Sequence, residues 1–135
     1  MNEILLYLNA VNETLVVSLI DANAKKVIAE KTCDDKRKHD ANLNRLVSEI
    51  LAENALTFSD LTGYAVVIGD GSWTGSRVGT TAIKAYALAC PKPIVAVMND
   101  EPLETILEKF IKKDFVSAEE LMPHYNAEFI TNKKN

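Results

Sequence analysis

Residues 64–79 hold the segment that most narrows the folds open to this chain. Tyr64-Ala65-Val66-Val67-Ile68 is an apolar run of strand length. It passes through Gly69-Asp70-Gly71-Ser72-Trp73-Thr74-Gly75 into a small-residue helix beginning near Ser76. Glycines at such a junction let the backbone turn sharply and let other groups approach closely. A loop of this kind before a helix start is also a place for a phosphate, because free N–H groups and the helix dipole attract anions. Asp70 stands against that use, since its carboxylate repels phosphate oxygens unless a cation lies between them. No second acidic residue is identifiable in the sequence to share such a cation.

The elements around this junction follow from local pattern. Ile4 to Leu8, Thr14 to Ile20 and Lys26 to Lys31 read as strands separated by the turns Asn9-Ala10-Val11-Asn12 and Asp21-Ala22-Asn23-Ala24. From Lys38 to about Glu53 the period changes, and Leu43, Leu46, Val47, Ile50 and Leu51 fall on one stripe of a helix. The glycine loop leads to a helix from Ser76 to Ala89, closed by Pro91 and Pro93. Ile94 to Met98 is a short strand. Pro102 to Lys112 is a last helix, with Pro102 in its first turn and Asp100 as its cap. An antiparallel meander extended by two strands through helical crossovers predicts an α/β fold: a mixed five-stranded sheet with flanking helices. That is the arrangement of a single ribonuclease-H-like domain of the actin-like ATPase superfamily.

The chain has 135 residues, enough for one domain with a real core. Apolar residues at 47% and charged residues at 25% are ordinary globular values. A net charge of -4 gives no general attraction to nucleic acid. No apolar run reaches the roughly 18 to 20 residues that span a bilayer. Met1-Asn2-Glu3 is not the basic start of a secretory signal, so a cytoplasmic location is expected. Cys33 and Cys90 are isolated thiols without metal-type spacing.

The stretch from Gly69 through Val97 resembles the signature of the TsaB family, also called YeaZ. That family reads Gly-x-Gly-Pro-Gly-Ser-Phe-Thr-Gly-Leu-Arg, then Ile or Val and Gly, then an alanine-rich helix and a Lys-Pro before the next strand. Gly69, Gly71, Ser72, Thr74, Gly75, Arg77, Val78 and Gly79 match, Trp73 stands for the Phe, and Lys92-Pro93 falls in place. Lys38-His39-Asp40 and the helix behind it are similar to the family's His-Ser stretch and first helix. The resemblance covers about the first hundred residues. It implies a role in forming threonylcarbamoyladenosine at position 37 of tRNA. In that system TsaB is not the catalyst but pairs through helices with a TsaD-like protein, a TsaE-like ATPase joins, and tRNA is met only through the complex. The chain departs from the pattern at Asn9-Ala10-Val11, where the family has Asp-Thr-Ser, and at Asp70, which replaces a proline. On this resemblance residues 1–112 form the domain and the family's second lobe is missing. Residues 113–135 form a tail in which Ala118 to Asn126 is similar to the family's closing segment.

An actin-like enzyme holds its metal through an acidic residue at the end of the first strand; here Asn9 is neutral. His39 and His124 belong to no metal-ligating spacing, and Ser72 and Thr74 have no evident base beside them. The expectation is therefore no catalytic residue, no metal and no cofactor. Gly69, Gly71, Ser72, Thr74 and Gly75 form a structural loop, in which Ser72 or Thr74 caps the helix and Gly71 and Gly75 allow the turn. The partner-binding face is predicted to include Gly79, Ala82, Ile83 and Tyr86 on one side of the helix, with Trp73, Arg77 and Tyr86 as larger groups. His39, Asn42 and Arg45 border it from the preceding helix. The partner is a TsaD-like protein, in a heterodimer, or a second copy of the chain. The alternatives are a homodimeric actin-like scaffold with another role and a small nucleotide-binding or peptidase-type hydrolase.

Overall fold

The first three strands are short, branched and separated by polar turns, so they fold back on one another. In the computed structural model, which describes residues 2–35, 38–99 and 101–123, they are β1 (Ile4–Asn9), β2 (Leu15–Asp21) and β3 (Lys26–Cys33). Both neighbouring pairs are antiparallel, with Leu6 opposite Leu19 and Val17 opposite Lys31. Helix α1 (His39–Glu53) then crosses over to β4 (Gly63–Gly69), which pairs parallel to β1. Helix α2 (Trp73–Ala89) crosses to β5 (Ile94–Met98), parallel to β4, and α3 (Leu103–Ile111) follows. The sheet order is β3-β2-β1-β4-β5, the mixed five-stranded arrangement expected from the pattern.

Alternation along the central strands sends side chains to two cores. Ile4, Leu6, Leu8, Leu15, Val17 and Val66 meet the apolar stripe of α1 and the inner side of α2. Leu5, Ile20, Ala65, Val67, Val95 and Val97 meet Ile106 and Leu107 of α3 on the opposite face. Helices α1 and α2 therefore lie together on one side of the sheet, and α3 lies on the other. The α1 stripe of Leu43, Leu46, Val47, Ile50 and Leu51 is buried as its spacing predicts.

Two helix starts differ from expectation. Helix α2 begins at Trp73, one turn ahead of Ser76, because the Ser72 hydroxyl accepts the Gly75 N–H at 3.1 Å and closes the first turn. Trp73, Thr74 and Gly75 are thus helical, and Thr74 is not the cap. Pro102 is the N-cap of α3 rather than a residue of its first turn, with ψ 163°; Asp100 lies outside the described residues. After α3 the chain rounds the β5 edge, where Val116 donates to the Ile94 carbonyl at 2.9 Å. Leu121 is then buried in the core under α1 and α2. The remainder of the tail likeness, from His124 onward, lies outside the described residues.

Candidate functional site

The carboxyl ends of β1, β4 and β5 meet at one end of the sheet, where open α/β sheets commonly take ligands. Here the glycine loop is pressed against its own chain. A Cβ at Gly75 would stand 1.9 Å from the Ala10 carbonyl oxygen, and one at Gly71 would stand 2.6 Å from that of Val11. Neither glycine has positive φ; of the two uses expected of such glycines, a sharp turn and close approach, it is close approach that requires them here. The left-handed residue of the loop is Asp70, with φ 64°, a conformation that Asp tolerates better than most residues. The backbone N–H groups of Ser72, Gly75 and Ser76 at the start of α2 are already committed within the chain. The Ser72 N–H reaches the Val11 carbonyl at 2.8 Å, and the Ser76 hydroxyl donates to the Ile68 carbonyl.

Three asparagines knit this end together, and two of them, Asn12 and Asn99, have no signal in the sequence because 87 residues separate them. The Asn99 amide donates to Asn12 Oδ1 at 2.7 Å and to the Asp70 carbonyl at 3.2 Å. Its Oδ1 accepts from Asn9 at 3.3 Å and Asn12 at 3.2 Å. Asn9, buried at the end of β1, also accepts the Val11 N–H at 3.2 Å. His39 sits beside them, each ring nitrogen 3.3 Å from a carbonyl oxygen, that of Asp35 or that of Asn12. It therefore belongs to this end and not to the helical face for which it was predicted. A hollow of about 380 Å³ remains between Asn12, Glu13, His39, Ser72 and Thr74. Among the described residues no three His, Cys, Asp or Glu side chains converge as metal ligands.

The other candidate surface lies along α1 and α2. Gly79 is buried, and a Cβ there would lie 3.3 Å from Val66 Cγ2; Ile83 is 0% exposed. Both pack on the chain's own sheet, so their place on a partner face is corrected. Tyr86 is half-buried and ties the two helices together: its hydroxyl meets Asn44 Oδ1 at 2.5 Å, and its ring lies 4.9 Å from that of Phe58. Burial pushes its phenol pKa up to about 12, so it stays a protonated hydrogen-bond donor. Tyr64 beneath α2 is likewise raised to about 12, chiefly by burial, and donates to the Cys90 carbonyl at 2.7 Å. Asn42 and Arg45 turn to the far flank of α1. Arg45 pairs with Glu49 at 3.2 Å, and Glu49 also pairs with Lys31 of β3 at 3.1 Å. Trp73 is half-buried at the start of α2.

Arg77 and Ala82 are brought together. They line a groove of about 420 Å³ between the helices, with Asp40 and Asn44 of α1 and Thr74, Thr81 and Ala85 of α2. Thr74, Arg77, Thr81, Ala85 and Leu88 all point outward, spaced three or four residues apart. Leu88 is 85% exposed. The sequence reading missed Asp40, Asn44, Thr81 and Leu88. Extending the helical spacing from Arg77 would have found the α2 members, which lie opposite the stripe that was chosen.

The protein-family model described as TsaD, tRNA N6-adenosine threonylcarbamoyltransferase, matches residues 26–108, more than half of the chain. The tRNA threonylcarbamoyladenosine biosynthesis protein TsaB of Bacillus subtilis is 32% identical over 99 residues, 73% of this chain and 42% of that protein. A tRNA N6-adenosine threonylcarbamoyltransferase of Methylobacterium nodulans is 43% identical over 65 residues, 48% of this chain and 19% of that protein. The structure of YeaZ from Pseudomonas aeruginosa superposes with a TM-score of 0.65 at 25% identity, covering 71% of this chain and 44% of that one. The chain thus spans less than half the length of each of these proteins. The superposition confirms the ribonuclease-H-like, actin-like fold. With the matched model covering β3 through most of α3, the chain belongs to the TsaD family, and within it is TsaB/YeaZ-like.

Proposed function

We propose that the chain takes part in threonylcarbamoyladenosine formation on tRNA as a non-catalytic, cytoplasmic partner of a TsaD-like protein. The docking face is the outer side of α1 and α2. The observation that carries this reading is the groove between those helices with Leu88 standing 85% exposed in line with it. A large apolar side chain beside small ones is what a helix from another protein needs for close packing. Asp40 and Arg77 at the groove add charges of both signs that orient a partner. The names of the relatives, a TsaB biosynthesis protein and threonylcarbamoyltransferases, supply the pathway. A TsaE-like ATPase would join the same assembly, with tRNA reached only through it.

The inert reading is supported by the sheet end. The loop that would grip a phosphate has its Ser72 N–H bonded within the chain. The nucleotide-binding or hydrolase alternative predicts saturable binding of magnesium-ATP in calorimetry; the present reading predicts none. Pull-down with a TsaD-like protein tests the partnership. A Thr81→Arg change, which fills the groove from an exposed position, should abolish capture while leaving thermal stability unchanged. Capture by the variant equal to that by the unaltered chain would refute the docking face.

A further inference from the structure

Tyr86 spans the gap between α1 and α2. Its hydroxyl donates to Asn44 Oδ1 at 2.5 Å, and Asn44 is held on its own helix, its amide donating to the Asp40 carbonyl at 3.3 Å. Behind this bond the Tyr86 ring rests against Phe58, with centroids 4.9 Å apart. Asn44 is exposed, so water can replace the hydroxyl and the net gain to folding is small. What water cannot supply is a fixed length between the helices. Along the groove the α2 wall includes Thr74, Thr81, Ala82 and Ala85, whose side chains are too short to reach across to α1. Tyr86, four residues beyond Ala82, makes the crossing at that end.

We propose that Tyr86 is a positioning residue for partner docking: through Asn44 it fixes the spacing of α1 and α2, so that the groove fits a partner's helix before the partner arrives. The inference rests on the docking face described above and adds what sets its width. Ridges of one helix enter the grooves of others only at the right spacing. Once the bond is lost, the two helices sample several spacings and only some of them fit. The apparent affinity then falls in proportion to the fraction that fits, with no contact to the partner removed. Tyr86 thereby acts from behind the face, in keeping with its half-buried place.

Association and dissociation rates of the full chain with a TsaD-like protein, followed by surface plasmon resonance, test this. Tyr86→Phe keeps the ring against Phe58 and removes only the hydroxyl. It should slow association about threefold to tenfold and leave dissociation unchanged, because a smaller fitting fraction acts before contact. Leu88→Asp, which alters the contact itself, should instead speed dissociation. Asn44→Ala should also slow association, and the double change should be about as slow as the slower single one, as for two groups that act through one bond. Thermal midpoints of Tyr86→Phe and Asn44→Ala should stay within about 3 °C of the unaltered chain.

If Leu88→Asp weakens binding while Tyr86→Phe keeps the unaltered rates, the docking face stands and the inference falls. Faster dissociation of Tyr86→Phe, or additive losses in the double change, would make Tyr86 a direct contact and overturns it as well. No association by the unaltered chain, or indifference to every one of these changes, overturns the docking face and this inference with it.

Discussion

The end of the sheet and the outer side of α1 and α2 are built from similar residue types to opposite effect. At the sheet end, Gly71, Gly75, Ser72 and three asparagines are spent on closing the chain against itself. Along the helices, Thr74, Thr81 and Ala85 are equally small but face solvent beside the exposed Leu88. Residues whose type would suit them to hold a ligand are thus internal fasteners, and the blander residues are the ones available to a partner. A side chain's chemistry suggests what it can do; the backbone next to it decides whether it is free to do so.

The sharpest way to break this contrast is at Gly75. Placing a methyl group 1.9 Å from the Ala10 carbonyl forces the loop off the β1–β2 turn. Gly75→Ala should therefore cost about 3 kcal/mol, read as a fall of roughly 10 °C in the thermal midpoint. A midpoint within a degree of the unaltered chain would mean that the loop is not seated as described.

Next in size is Tyr64→Phe, which removes the donor to the Cys90 carbonyl at the end of α2 and should cost about 1 to 2 kcal/mol at neutral pH. Its pH dependence is informative. The Tyr64 phenol is raised to about 12 against an ordinary value of about 10. Its contribution is complete below about pH 10 and fades as pH rises towards 12, because the unfolded chain loses the proton first. Tyr86 shares that direction, so the variant should lose stability less steeply than the unaltered chain between about pH 10 and 12. Equal slopes in denaturant titrations across that window would discredit the buried donor.

A smaller effect is expected from Asp70→Gly, which relieves the left-handed φ of 64° but frees the unfolded chain, so stability should change by less than about 1 kcal/mol. The change also removes the carboxylate from the loop. Calorimetry with magnesium-ATP should still show no binding. An affinity gained on this substitution would show that charge, and not the seated loop, had kept phosphate out.

The sequence carried the architecture well because periodicity is local. The alternating strands, the Leu43–Leu51 stripe and the apolar Ile94–Met98 run all appear where the pattern puts them. The start of α2 was misplaced since Ser72 and Thr74 cap equally well on paper, and the Gly75 N–H decides between them. Close approach at Gly71 and Gly75 was foreseeable, but its partners were not, because the neighbouring backbone at Ala10 and Val11 is distant in sequence. For the same reason the Asn12–Asn99 contact could not be foreseen. On α2, Gly79, Ala82, Ile83 and Tyr86 do share a face, but small residues suit a sheet beneath or a partner above. The packing of Gly79 against Val66 and the full burial of Ile83 show that the middle of this face points inward, while Ala82 at its border lines the outer groove.

The account rests most heavily on the outer α1–α2 face, and one titration reaches it directly. Calorimetry of the chain against a TsaD-like protein should show saturable one-to-one binding. Leu88→Asp, at a site 85% exposed, should weaken that binding at least about tenfold with the thermal midpoint unchanged. Equal affinity in the two forms, or no binding by the unaltered chain, would contradict it.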